Sequence, residues 1–251
     1  GGPVRDKIGL YTHPPRTSDT VRAAADAVEV VESGHRALKI DPMMISIPEG
    51  PAHYIDGQIS RKGMEDAWAM TAAVREAVGP SIELLIDAHG KYNVPTAIDL
   101  CRGLEESNIF WFEEPVPVES NHALQQVRDK INTKISVGER IFTRWEFIEI
   151  FEKGLADFIM PDITWTGGIS ELKKISTLAE SYYIPVSPHG ASGPINGEKS
   201  SPLSFPPSRT IRVSPGKLEI AVQAAATLVA FESLIHWTPP APPTCSVRCG
   251  S

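Results

Sequence analysis

The chain has 251 residues, a formal charge of −7 and a pI near 5.5, a balance that disfavours nucleic acid or another polyanion as partner and is ordinary for a soluble metabolic enzyme. No apolar stretch reaches membrane-spanning length and no charged segment followed by an apolar one opens the chain, so a cytoplasmic protein without membrane association is expected. The three cysteines, Cys101 plus Cys245 and Cys249 in a Pro-rich tail, form neither a disulfide framework nor a zinc site.

In chain order the sequence predicts a strand over 8–13, a helix over about 18–33, a strand over 37–40 and a helix over about 62–78. Next come a strand at 82–86, a helix at about 95–106, a strand at 109–112, a helix at about 121–130 and a strand at 134–137. A helix at about 144–153, a strand at 157–160, a helix at about 169–182 and a strand at 184–187 complete the series. The strands are continuously apolar, as in a parallel sheet covered by helices, and the repeated strand-helix order predicts an α/β fold of the TIM-type (β/α) barrel class. Thr143 and Glu146 form a capping-box pattern, and Leu172, Ile175, Leu178 and Ala179 share one helical face.

Periodicity stops after Ile195. Residues 196–217 hold four prolines and five serines and are expected to be an irregular insertion. A helical pattern returns over 218–232, LIHW at 234–237 is a candidate eighth strand, and 238–251 is expected to be a disordered tail. The barrel domain is thus expected to span 1–237. A chain opening on Gly1-Gly2-Pro3 without Met is expected to be a fragment or a partial gene model.

Three acids close apolar runs at equal intervals: Asp87 in IELLIDAHG, Glu113 in IFWFEEPV and Glu139 in KISVGERI, each 26 residues after the last. That interval is about one strand-plus-helix unit, which places the three carboxylates at the C-terminal ends of neighbouring parallel strands. Like charges gathered there need a cation, and an all-oxygen set suits Mg2+. Two histidines also follow strands. Period-2 geometry puts His89 on the side of Asp87, and His189 follows the seventh strand. Asp162 ends the sixth strand and either accepts a hydrogen bond from His189 or is an N-cap before Thr164-Trp165. Lys39 ends the second strand as a site residue or a rim residue. Lys91, Arg140 and Arg144 either bind an acidic substrate or pair with nearby carboxylates, and GASG at 190–193 lacks the lysine of a phosphate loop. A metal, a buttressed histidine, a second histidine and a lysine around one mouth suit removal of a proton next to a carboxylate.

The motifs IDAHG, FEEPV, SVGER, MPD, TGGI and PHGASGPI, in this order over residues 3–195, resemble the barrel domain of the enolase superfamily, mandelate racemase branch. Within it they are most similar to sugar-acid dehydratases of galactonate dehydratase type. The resemblance implies that Asp87, Glu113 and Glu139 hold Mg2+, that His189 with Asp162 takes the α-proton, and that His89 protonates the departing 3-hydroxyl. Lys39 matches the first position of the Lys-x-Lys pattern of racemase-type members, but the second is Asp41, which argues against two-base racemisation.

The expected activity is Mg2+-dependent dehydration of a small-molecule sugar acid to a 2-keto-3-deoxy acid. A racemase or epimerase and an inactive fragment are the alternatives, and a homo-oligomer is left open. Family members carry an α+β capping domain before the barrel and a glutamate at the end of the eighth strand. Neither is matched in the sequence, so this form of the chain is expected to be inactive, with 196–217 a translated intron and the tail from about Thr238 a similar reading error or a frameshift.

Overall fold

Helix capping sets the boundaries along the part of the chain, residues 11–43, 54, 55 and 57–190, that the computed structural model describes. These residues fall into two compact units, 11–136 and 137–190.

In the first unit α1 (Thr20–Glu32) starts where the Asp19 carboxylate accepts from the amides of Val21 and Arg22. Strand β1 (Ala37–Ile40) follows, then a hairpin of β2 (Tyr54–Ile55) and β3 (Gln58–Ile59). Ser60 caps α2 (Arg61–Val78), which ends at Gly79, φ 77°. After β4 (Glu83–Asp87), Asn93 caps α3 (Val94–Glu105). The unit closes with β5 (Trp111–Glu113), α4 (Asn121–Arg128, capped by Ser120) and β6 (Lys134–Val137), whose last residue falls in the second unit.

Strands β1, β4, β5 and β6 pair in parallel in that order, with Ile40 opposite Ile86, Asp87 opposite Glu113 and Glu113 opposite Ser136. Leu38, Leu84, Ile86, Phe112 and Ile135 from the strands are buried, as are Ala27, Ala67, Val74, Leu100, Leu104 and Val127 from the helices. Removing this apolar surface from water is what stabilises a parallel sheet between helices.

Arg75, on α2, ties the turns that lead into two strands. Its guanidinium donates to the carbonyls of Ser107 (2.8 Å), Asn108 (3.0 Å), Gly79 (2.8 Å) and Ile82 (2.7 Å). Arg75→Met keeps the stem but strands these acceptors. A loss of about 2–4 kcal/mol in urea unfolding is expected, at roughly 1 kcal/mol per bond; a loss below about 0.5 kcal/mol would show that water replaces the guanidinium freely.

In the second unit the amide of Met160 donates to the carbonyl of Val137 at 2.8 Å. Helix α5 (Arg144–Glu152) begins where Glu146 reaches back to the amide of Thr143, and β7 (Phe158–Ile159) and α6 (Ile169–Ser181) follow. Ile159 bridges Val186 and Asp162 bridges His189, both in parallel.

The predicted element order therefore holds from α1 to α6, with boundaries shifted by one or two residues. The expected strand at 184–187 is reduced to single bridges, and of the strand at 8–13 only Thr12 pairs, with Leu38, within the described residues. The hairpin at 54–59 was not predicted, although Asp56-Gly57 is a two-residue turn signal and Gly57 takes φ 81°. Leu172, Ile175 and Ala179 are buried as expected, but the fourth buried place on α6 belongs to Ser176 rather than Leu178. Its hydroxyl is satisfied by the carbonyl of Leu172 at 2.9 Å. The GASG segment beyond Gly190, the block 196–217, LIHW and the tail lie outside the described residues. Among the described residues no helix is long and apolar enough to cross a membrane.

Candidate active site

Strand register brings the acids of the first unit together. Asp87 ends β4, Glu113 ends β5, and the two are direct partners across the ladder. Lys39 rises from β1, so that its Nζ lies 2.9 Å from Asp87 Oδ2 and 2.5 Å from Glu113 Oε1. All three side chains are at most 3% exposed. Glu113 Oε2 accepts from Trp111 Nε1 at 3.1 Å, and Asp87 Oδ1 accepts from the amide of His89 at 2.9 Å. Burial alone would push the Lys39 ammonium toward neutrality, but Glu113, Tyr11 and Asp87 outweigh it and hold its pKa above the ordinary lysine value. Burial likewise favours the neutral Asp87 acid, and the charge of Lys39, then His89, overcomes it and draws the pKa below the ordinary value. Lys39 is thus a fully engaged buried cation rather than a residue of the rim.

His89 reaches its neighbours by a route other than the one expected. Strand β4 ends at Asp87, and His89 adopts a left-handed conformation, φ 54°, so strand alternation does not place it. Its Nδ1 is buried, 2.9 Å from Asp41 Oδ2 and 3.3 Å from Asp87 Oδ1, with neither oxygen in hydrogen-bonding alignment. Lys91 Nζ lies 3.4 Å from the same Asp41 oxygen, which favours its ion-pair reading. In the sequence Asp41 stands out only as the position where racemase-type members carry a lysine. Its place directly after β1, two residues beyond Lys39, was the available sign that it lies near the same strand end.

The second unit carries the other acids and the second histidine. Gly138, just before Glu139, takes φ 138°, and a Cβ there would lie 2.8 Å from the amide nitrogen of Met160. The chain thus passes close to the Met160 backbone, just after β7, before presenting Glu139, which is 6% exposed. His189 Nδ1 lies 2.8 Å from Asp162 Oδ2, and its Nε2 lies 3.2 Å from Glu139 Oε2. The other Asp162 oxygen, Oδ1, accepts from the amide of Thr164 at 2.8 Å and from its hydroxyl. One Asp162 oxygen thus faces His189 and the other braces a turn, while the N-cap reading fails because the next helix, α6, starts only after Gly168. Trp165 stands beside the His189 ring, centroids 5.9 Å apart. Arg144 makes a bidentate pair with Glu171 at 2.8 and 2.9 Å, which favours a structural role, and Arg140 lies 3.3 Å from Glu139 Oε1.

Burial alone would raise the Asp162 pKa, but the bonds from His189 and Thr164 outweigh it and bring the pKa down to about 2. A depressed carboxylate pKa adds stability above the unfolded value of about 4 that disappears as pH falls toward 2. Asp162→Asn should remove on the order of 2 kcal/mol of this acid-limb dependence. Acid unfolding of both proteins, followed by circular dichroism between pH 5 and pH 2, checks it, and parallel curves would exclude the linkage.

Residues 22–206 match the family model described as enolase C-terminal domain-like. The chain belongs to this family. Its fold is the (β/α) barrel of the enolase C-terminal domain. Among curated enolase relatives, the D-gluconate dehydratase of Thermoproteus tenax is 32% identical over 197 residues, 78% of this chain and 38% of that protein. The D-galactonate dehydratase of Pectobacterium atrosepticum is 34% identical over 197 residues, 78% of this chain and 48% of that protein. The crystal structure of a mandelate racemase/muconate lactonizing enzyme-like protein from Rubrobacter xylanophilus superposes with a TM-score of 0.71 at 37% identity, covering 78% of this chain and 53% of the other. An enolase superfamily member from Salmonella Typhimurium gives 0.72 at 32%, covering 78% and 53%. This enolase-family chain spans half or less of the length of these two curated relatives.

Proposed function

We propose that the full-length protein is a Mg2+-dependent aldonate dehydratase that converts a sugar acid to its 2-keto-3-deoxy acid. The observation that carries the reading is the His189–Asp162 pair: an imidazole held by a buried carboxylate at 2.8 Å is built to accept a proton at its other nitrogen. The names of the D-gluconate and D-galactonate dehydratases, about a third identical to this chain, support the substrate class.

Asp87, Glu113 and Glu139 are the proposed metal ligands. Each is buried, each offers only oxygen, and the first two already need a cation, a need that Lys39 meets between them. When bound, Mg2+ would supply positive charge against the charge that develops on the substrate carboxylate. In the proposed reaction the Cα–H bond breaks and its proton passes to His189 Nε2, while Asp162 steadies the imidazolium that forms. The electron pair becomes the C2–C3 double bond as the C3–O bond breaks. His89 gives a proton to the departing hydroxyl, which leaves as water, and the enol tautomerises to the 2-keto acid. Asp41 stands where racemase-type members carry a second lysine, which weighs against a racemase or epimerase.

The test is to offer the full-length protein a panel of aldonates in D2O with millimolar Mg2+. Solvent deuterium in the product at C3 and release of a 2-keto acid are expected, together with a rise in melting temperature on adding the ion. Folded protein that melts identically with and without Mg2+ and turns over no aldonate would refute the reading. Exchange at Cα without dehydration would favour the racemase.

A further inference from the structure

We propose that Asp41 is a positioning residue for His89, accepting a hydrogen bond from the proton that Nδ1 carries so that Nε2 is the ring atom that takes up and then gives the proton delivered to the leaving hydroxyl. The inference deepens the dehydratase reading and rests on it for the role of His89. It starts from the placement of Nδ1, which is buried and flanked by two carboxylates, Asp41 Oδ2 at 2.9 Å and Asp87 Oδ1 at 3.3 Å.

The two carboxylates are not equivalent. Asp87 is committed elsewhere: its Oδ2 pairs with Lys39, and its Oδ1 accepts from the His89 amide. Asp41 is fixed through its other oxygen, since Oδ1 accepts from the amide of Met43 at 3.1 Å, and its side chain is 4% exposed. Oδ2 is therefore held 2.9 Å from Nδ1 by a backbone anchor, and alignment of Nδ1–H with this oxygen is the contact proposed. Lys91 at 3.4 Å offsets part of the charge of Asp41 without taking the position beside the ring. A buried ring nitrogen next to a carboxylate retains its proton, because a bare lone pair facing an anion there would be unsatisfied. A lysine at position 41 would leave Nδ1 without this acceptor, so the departure from Lys-x-Lys removes a base and supplies an orienting group for the acid.

The experiment uses the full-length protein with 15N-labelled histidine, and reads the His89 ring nitrogens at pH 8, with His89→Asn to assign them. The wild type should show the Nδ1–H tautomer, and Asp41→Ala should lose it. With substrate, Asp41→Ala should slow dehydration by about tenfold to a hundredfold while α-proton exchange changes by less than about threefold. Asp41→Asn, whose amide oxygen can accept the same proton, should restore most of both signals. Retention of the Nδ1–H tautomer in Asp41→Ala would overturn the proposal, as would exchange and dehydration falling together. If the wild type turns over no aldonate, the tautomer still decides the role of Asp41, and the dehydratase reading alone fails.

Discussion

His189→Asn is expected to lower both α-proton exchange and dehydration by about a thousandfold or more, because in the proposed reaction each requires the base that Asp162 supports. Asparagine keeps the size and polarity of the side chain but has no nitrogen that takes up a proton near neutral pH. His89→Asn should behave differently. Dehydration should fall by about a hundredfold or more, since the leaving hydroxyl loses its proposed proton donor, while deuterium still enters at Cα from solvent. Deuterium incorporation by NMR alongside release of 2-keto acid separates the two steps. Identical exchange in the two variants would mean that the histidines do not divide the work in this way.

Lys39→Met should cost about 3–5 kcal/mol of stability in metal-free protein. The substitution keeps most of the apolar stem but leaves Asp87 and Glu113, adjacent across the β4–β5 ladder and almost wholly buried, without the ammonium that lies within 3 Å of each. Two like charges in a low-dielectric setting repel strongly, and the variant can relieve this only by protonating one of them or by opening the site. Added Mg2+ should narrow the gap to wild type, since a second cation takes up the same need. Urea unfolding of both proteins across a Mg2+ series checks both statements. A metal-free loss below about 1 kcal/mol would show that the carboxylates tolerate each other without the lysine.

Much of the framework was legible in the sequence because it depends on local patterns. Continuous apolar runs bounded by helices indicate covered parallel strands, and the caps at Asp19, Ser60, Asn93 and Ser120 stand at helix starts close to those predicted. The hairpin at 54–59 escaped because its strands have two residues each, too short to show a period, so its turn was the only sign. Ser176 escaped because a hydroxyl that bonds to the preceding turn can occupy a core position, which hydrophobic periodicity cannot register. The N-cap pattern at Asp162 is a turn in the structure, because its second oxygen bonds Thr164 well before α6 begins while the first faces His189.

By itself the sequence determined the order of strands and helices and the spacing of Asp87, Glu113 and Glu139, because both follow from one repeat length along the chain. It also placed Asp162 and His189 at the ends of successive strands, which is enough to make them neighbours in a parallel arrangement. Tertiary structure alone decided what each group touches. The ammonium of Lys39 between two carboxylates depends on the β1–β4–β5 register, and the approach of His89 to Asp41 depends on a left-handed residue where β4 has already ended. The four carbonyls gathered by Arg75 come from turns up to 33 residues away. Such contacts join residues whose separation along the chain carries no period, so they are fixed only when the elements pack and the side chains settle into the space left between them.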